Sequence, residues 1–122
     1  MKLINDLFEV VSTTQHDDSY QCQVKFNPEH RIYKAHFPGN PITPGVCIVQ
    51  MIGELLSDRC GRRLSLSKIV NLKFVAPISP VDTPDIEISF TLVDDTATAC
   101  KGKGTITSGE QLLTQFSLVF NG

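Results

Sequence analysis

Residues 35–54 read AHFPGNPITPGVCIVQMIGE, and the fold turns on how this stretch is read. It holds Pro38, Pro41 and Pro44, three of the chain's seven prolines. Each proline locks φ and removes an N–H donor, so with Gly39 and Gly45 they exclude regular structure as far as Gly45. Beyond that point Ile48, Val49, Ile52, Leu55 and Leu56 recur at helical spacing on one broad arc, with Gln50, Glu54, Ser57 and Asp58 on the other side. The spacing predicts a helix from about Pro44 or Gly45 to Cys60. Thr43 is the expected N-cap, with Pro44 at the first helical position, where a missing N–H costs nothing. Gly61 suits the C-cap, and Arg59, Arg62 and Arg63 lie near the negative end of the helix dipole. A rigid loop therefore runs straight into an apolar helix.

Outward from this joint the pattern is that of strands. Residues 6–13 alternate weakly, and residues 16–19 (HDDS) read as a turn. Residues 20–26 alternate strictly, with Tyr20, Cys22, Val24 and Phe26 on one face. The two segments are expected to form a hairpin. Residues 27–30 then begin a long irregular connection, of a length more often functional than decorative. After the helix, strands are expected over 66–76, 85–93, 96–107 and 111–120, with turns at Asp94-Asp95 and Ser108-Gly109. The third of these is glycine-spotted and expected to bulge at Gly102 or Gly104. Two strands, one long helix and four strands joined by short turns make a mainly antiparallel sheet. One helix covers such a sheet only if the sheet curves around it. The expected class is α+β, a curved sheet wrapped around one long central helix, in a single domain over 1–122.

Composition narrows the function. The net charge of −2 and pI near 5.8 give no nucleic-acid footprint. No run of like charge or basic amphipathic helix suggests a membrane surface, and no apolar run approaches the roughly 18 residues of a spanning helix. The first ten residues, MKLINDLFEV, carry Asp6 and Glu9 where the apolar part of a secretory signal would sit, so a cytoplasmic protein is expected. Cys22, Cys47, Cys60 and Cys100 form no CxxC pair, and reduced thiols without a metal are expected.

The chemistry-bearing residues gather at the loop–helix joint. A histidine side chain ordinarily titrates near neutrality, so one at position 36 can take a proton made acidic by a polarised carbonyl. The main-chain N–H groups near Gly45 and Val46 lack intrahelical partners and carry the positive end of the dipole, so they can polarise a thioester or other carbonyl. The plainer alternative is a loop that is merely rigid. His16 and His30 sit in polar contexts and are expected to be solvated. Met51, Ile52 and Leu55 read as core or interface residues first, and as an acyl-tunnel wall second. Arg59, Arg62, Arg63, Lys68 and Lys73 read as dipole compensation and a solvated strand face, with a docking patch for an acidic carrier protein or a phosphopantetheine phosphate as the alternative.

Residues 36–46, HFPGNPITPGV, resemble the HFPGxPxxPGV signature of the 3-hydroxyacyl-(acyl carrier protein) dehydratases of fatty-acid synthesis. Residues 74–82, FVAPISPVD, are close to that family's second pattern, F..PV.PGD, and the resemblance is good over 31–81. It implies a hot-dog fold and a homodimer, or an oligomer of dimers, whose sheets join edge to edge with active sites at the interface. The substrate implied is an acyl thioester on acyl carrier protein or coenzyme A, with no cofactor. His36 matches the catalytic histidine that handles the α-proton, and Gly45 matches the glycine whose N–H meets the thioester carbonyl. Phe37, Pro44 and Val46 fall with Gly45 among the substrate-binding positions.

The signature breaks at one place. The family carries a Glu or Asp fourteen positions after the histidine, supplied by the other protomer, and here that position is Gln50. A neutral amide hydrogen-bonds a hydroxyl or a water but does not donate a proton as an acid does, and such assistance is worth about 10² to 10⁴-fold. Glu54 lies one turn on, on the same face, and reaches the site through a water or is simply an exposed or interface glutamate. Otherwise His36 alone shuttles the proton while Gln50 orients the substrate. The alternatives to a dehydratase are a hot-dog thioesterase and a non-catalytic acyl-thioester-binding subunit.

Overall fold

The computed structural model describes residues 2–35, 39 and 41–122, without the side chains of Asp94 and Asp95. Strands β1 (Phe8–His16) and β2 (Ser19–Phe26) come first, then a short helix α1 (Arg31–Ala35) and the long helix α2 (Gly45–Cys60). Strands β3 (Ser65–Phe74), β4 (Asp85–Asp95), β5 (Ala99–Ser108) and β6 (Gln111–Asn121) complete the chain. All neighbouring pairs are antiparallel, in the order β1-β2-β4-β5-β6-β3. The hairpin β1–β2, the meander β4–β5–β6 and the α+β class agree with the sequence reading.

The core lies between α2 and the inner face of the sheet. Ile48, Met51, Ile52, Leu55 and Leu56 of α2 are buried with Cys22 and Val24 of β2, Ile88 and Phe90 of β4, Ile106 of β5, and Leu118 and Phe120 of β6. Burying each such large side chain stabilises by roughly 1.5–3 kcal/mol relative to exposure. β2 alternates perfectly, its residues at even positions buried and the rest exposed, because only one pleat face meets the core. Tyr20 stacks on its cross-strand neighbour Phe90 with ring centroids 5.1 Å apart. Two glycines let the helix sit close to the sheet. A Cβ on Gly53 would lie 2.8 Å from the Phe120 ring, and one on Gly102 2.7 Å from Leu56 Cδ2.

Several local expectations change. Pro44, not Thr43, is the N-cap of α2, with extended φ −61° and ψ 146° and no side-chain cap bond, and the helix starts at Gly45. Thr43 is recruited elsewhere: its hydroxyl meets Tyr33 Oη at 2.9 Å, and both residues are buried. The connection before the helix is not wholly irregular, since α1 forms where the sequence shows no periodicity. Asp94 and Asp95 are not a turn; β4 runs through Asp95 and the turn falls at 96–98. The irregularity in the β4–β5 ladder lies on β4, between Leu92 and Asp94, rather than at Gly102 or Gly104. Gly61, by contrast, is the C-cap expected, in the left-handed region at φ 71°. His30 is 4% exposed rather than solvated: its Nε2 stands 3.1 Å from Asp6 Oδ2, and its Nδ1 accepts from the Ile32 N–H.

β3 is a sheet edge of unusual character. Leu66, Ile69, Val70, Phe74 and Val75 are between 45% and 51% exposed along it and just past its end. No helix among the described residues is long and apolar enough to cross a membrane.

Candidate active site

The described residues on either side of positions 36–40 are tied down. Before these positions, His30 is buried against Asp6, and Tyr33 of α1 is buried with its hydroxyl on Thr43. After them, the Thr43 N–H donates to the Ile78 carbonyl at 2.8 Å. Burial pushes the Tyr33 phenol up to about 12, so it stays protonated and holds Thr43 at any ordinary pH. His36, Phe37, Pro38 and Asn40 lie outside the described residues, so the structure assigns no contacts to the first two of the expected site residues.

The other end of the motif forms the start of α2. The first bonds of α2 are donated by Cys47 and Ile48 to the Pro44 carbonyl, at 3.0 and 3.2 Å. Gly45 and Val46 precede this ladder, so their N–H groups belong to the free positive end of the helix, as in any helix first turn. A Cβ on Gly45 would lie 3.0 Å from Phe74 Cζ, so the half-exposed Phe74 ring would have to give way to any side chain there. Next to it opens a cavity of about 320 Å³ lined by Ile42, Thr43, Gly45, Ile48 and residues 74–78, almost all apolar. Val46 is 79% exposed. Cys47 is the thiol nearest this end in sequence, and burial raises its pKa, which keeps it protonated and a poor nucleophile.

Gln50 and Glu54 lie on the other flank of α2, in an open groove of about 940 Å³ that also borders Ile4, Ser57, Leu66 and Phe120. The groove joins polar side chains to an apolar wall. Glu54 is neither exposed nor idle. Its Oε1 accepts the N–H groups of Leu3 at 3.1 Å and Ile4 at 2.8 Å, and its Oε2 accepts Leu3 N–H at 2.8 Å. Gln50 Nε2 donates to the same Oε2 at 3.0 Å. Sequence spacing put the two residues on one face; it carried no signal for the N-terminal backbone that completes the cluster.

The basic grouping divides. Arg59 pairs with Asp58, and Arg62 donates to the carbonyls of Thr96 at 2.7 Å and Ala99 at 3.3 Å, holding the β4–β5 turn. These two arginines therefore have structural work. The Cys60 and Cys100 sulfurs, from α2 and β5, stand 3.2 Å apart as free thiols.

A six-stranded antiparallel sheet around one long helix defines the hot-dog class. Solved structures share it. A chain of the dehydratase heterocomplex ApeI:P from Xenorhabdus doucetiae superposes with a TM-score of 0.71 at 17% identity, over 93% of this chain and 96% of that one. A thioesterase from Haemophilus influenzae does so with a TM-score of 0.62 at 16% identity, over 96% and 79%. Within the class, residues 12–110 match the ApeI-like model, described as ApeI dehydratase, and the chain belongs to that family. The 3-hydroxyacyl-(acyl-carrier-protein) dehydratase FabZ of Clostridium acetobutylicum is 32% identical over 95 residues, 72% of this chain and 65% of the relative. The FabZ of Roseiflexus sp. is 30% identical over the same shares. The chain thus spans just under two thirds of the length of these curated relatives.

Proposed function

We propose that the protein is a 3-hydroxyacyl thioester dehydratase, acting on an acyl group carried by acyl carrier protein or coenzyme A in fatty-acid or related lipid or polyene synthesis. The observation that carries this reading is the HFPGNPITPGV loop opening onto a helix that begins at Gly45, in a chain of the ApeI-like family. The thioester carbonyl sits at the N–H groups of Gly45 and Val46, with Pro44 and Phe37 beside it and the acyl chain against the apolar wall. There the helix end stabilises the negative charge that develops as the α-proton leaves. His36 takes that proton. The electron pair forms the Cα–Cβ double bond, the Cβ–O bond breaks, and the proton passes from His36 to the departing hydroxyl as water. Gln50, which the resemblance supplies to the site from the other protomer, orients the hydroxyl rather than protonating it. The chemistry needs a base, a proton return and an electrophilic donor, and no cofactor.

The apolar edge of β3 supports a homodimer formed by pairing that edge with a second copy, which buries Ile69, Val70 and their neighbours. The second reading, a thioesterase of the same fold or a non-catalytic acyl-thioester-binding subunit, is favoured by Gln50 alone, since a neutral amide stands where the acid is expected.

Hydration of 2-enoyl thioesters, the reverse reaction, tests the proposal. The purified protein consumes the conjugated thioester, and His36→Ala abolishes the reaction. Absence of hydration at every chain length, in wild type and in Gln50→Glu, would sink it. Release of free thiol from acyl-coenzyme A would establish the thioesterase instead.

A further inference from the structure

The Gln50–Glu54 pair carries information about the substrate. Both oxygens of Glu54 already accept backbone N–H groups, Oε1 from Leu3 and Ile4 and Oε2 from Leu3. A group accepting at both oxygens can be met by Gln50 only through the amide's N–H₂ end, and that is the end found 3.0 Å away. The flip of this amide is set by chemistry, not left free. The carbonyl end of Gln50 consequently faces away from Glu54, on a residue that lines the open groove. A carbonyl oxygen has two lone pairs, so it can take a ligand's donor beside any protein donor.

Resting on the dehydratase reading above, we propose that Glu54 is a positioning residue: it turns Gln50 so that an acceptor, not a donor, meets the β-carbon substituent of the bound acyl thioester. The site then selects a 3-hydroxyacyl group, whose O–H donates, over a 3-oxoacyl group, which offers only an acceptor and sets two oxygens against each other. The hydroxyl's proton points at Gln50, which leaves its oxygen lone pairs turned outward to receive the proton from the base.

Affinities for non-reactive thioether analogues of 3-hydroxyacyl- and 3-oxoacyl-pantetheine test this in the full chain. Wild type prefers the hydroxy analogue by about tenfold, the scale of one uncharged hydrogen bond gained and one repulsion avoided. Glu54→Gln keeps an acceptor for the N-terminal backbone but offers Gln50 an N–H₂, so the Gln50 amide turns over and the preference falls to about one or reverses. Gln50→Leu removes the preference by removing both ends. If Glu54→Gln fails to fold, the side-chain amide resonances of Gln50 in wild type decide. They shift on titration of Glu54 and little on adding the hydroxy analogue; a large shift on adding analogue means the donor end faces the ligand and overturns the proposal. An unchanged preference in folded Glu54→Gln overturns it too. So does loss of kcat at constant KM with loss of one limb of the pH profile, which would make Glu54 a direct acid. Wild type that binds neither analogue fails at the dehydratase reading itself, which separates the two.

Discussion

Gln50 occupies the position where the resemblance leads one to expect an acid, yet it touches one, Glu54, at 3.0 Å. This makes the effect of Gln50→Glu specific. Two carboxyl groups at hydrogen-bond distance cannot both ionise readily, so the pair's upper apparent pKa rises above the ordinary value near 4.3. A group whose folded pKa is raised contributes stability that is fully present below its unfolded value and lost as pH rises through the folded value. Gln50→Glu should therefore unfold at lower denaturant as pH is raised above about 4.3, measured against wild type. In the same range it should hydrate enoyl thioesters faster than wild type, by up to about 10²-fold, with the gain fading as pH rises. A pH–rate profile reads this directly. Tyr33 gives a second outcome with the same sign. Burial first, offset by its bond to Thr43, lifts the phenol to about 12 from 10.0. The native state thus keeps the proton that the unfolded state releases, and stability falls between about pH 10 and 12, by about 1.4 kcal/mol per unit. Absorbance titration of the two tyrosines should show one ionising late, and Tyr33→Phe should remove that phase.

Elements differ in how openly the sequence declares them. β2 and α2 were legible because each buries one face against one partner, and a single-faced element writes its period into its own residues. α1 was not, because its five residues have no period to show and exist as a helix through Tyr33, whose buried hydroxyl is satisfied by Thr43 ten residues away. The N-cap of α2 was misassigned for the same reason, since Thr43 had a more distant use. In the sequence the β5 glycines suggest a bulge, whereas in the fold they are clearance. A Cβ on Gly104 would lie 1.9 Å from the Ser89 carbonyl oxygen, a backbone atom that cannot step aside, while one on Gly102 meets only the tip of Leu56. Gly104→Ala should therefore destabilise by more than Gly102→Ala, which should cost about 1–3 kcal/mol. Urea unfolding of the two variants gives the order, and equal losses would contradict it.

At the scale of the whole molecule the exposed β3 edge is the open feature. Lys68 and Lys73 lie on it, but the apolar side chains between them leave much more oil in water than an edge strand usually shows. If a second copy covers it, Ile69→Lys should convert a dimer to a folded monomer by light scattering and circular dichroism. Enoyl hydration should fall with it, because the resemblance places the two halves of the site on different protomers. A dimer that survives Ile69→Lys with full activity would move the interface elsewhere.

By itself the sequence determined the alternating strands, the apolar arc of α2, its Gly61 stop and the HFPGNPITPGV motif that carries the family resemblance. These are local: period, backbone restriction and short spacing are properties of a few consecutive residues. Only the tertiary structure decided that His30 is buried on Asp6, that Thr43 serves Tyr33, and that Glu54 gathers Leu3, Ile4 and Gln50. Leu3 and Glu54 are separated by 51 residues, and a carboxylate shows its partner nowhere in its own neighbourhood of the chain. Polar groups are satisfied wherever the fold brings a donor, so their roles follow from the packing of elements whose positions the hydrophobic pattern had already set.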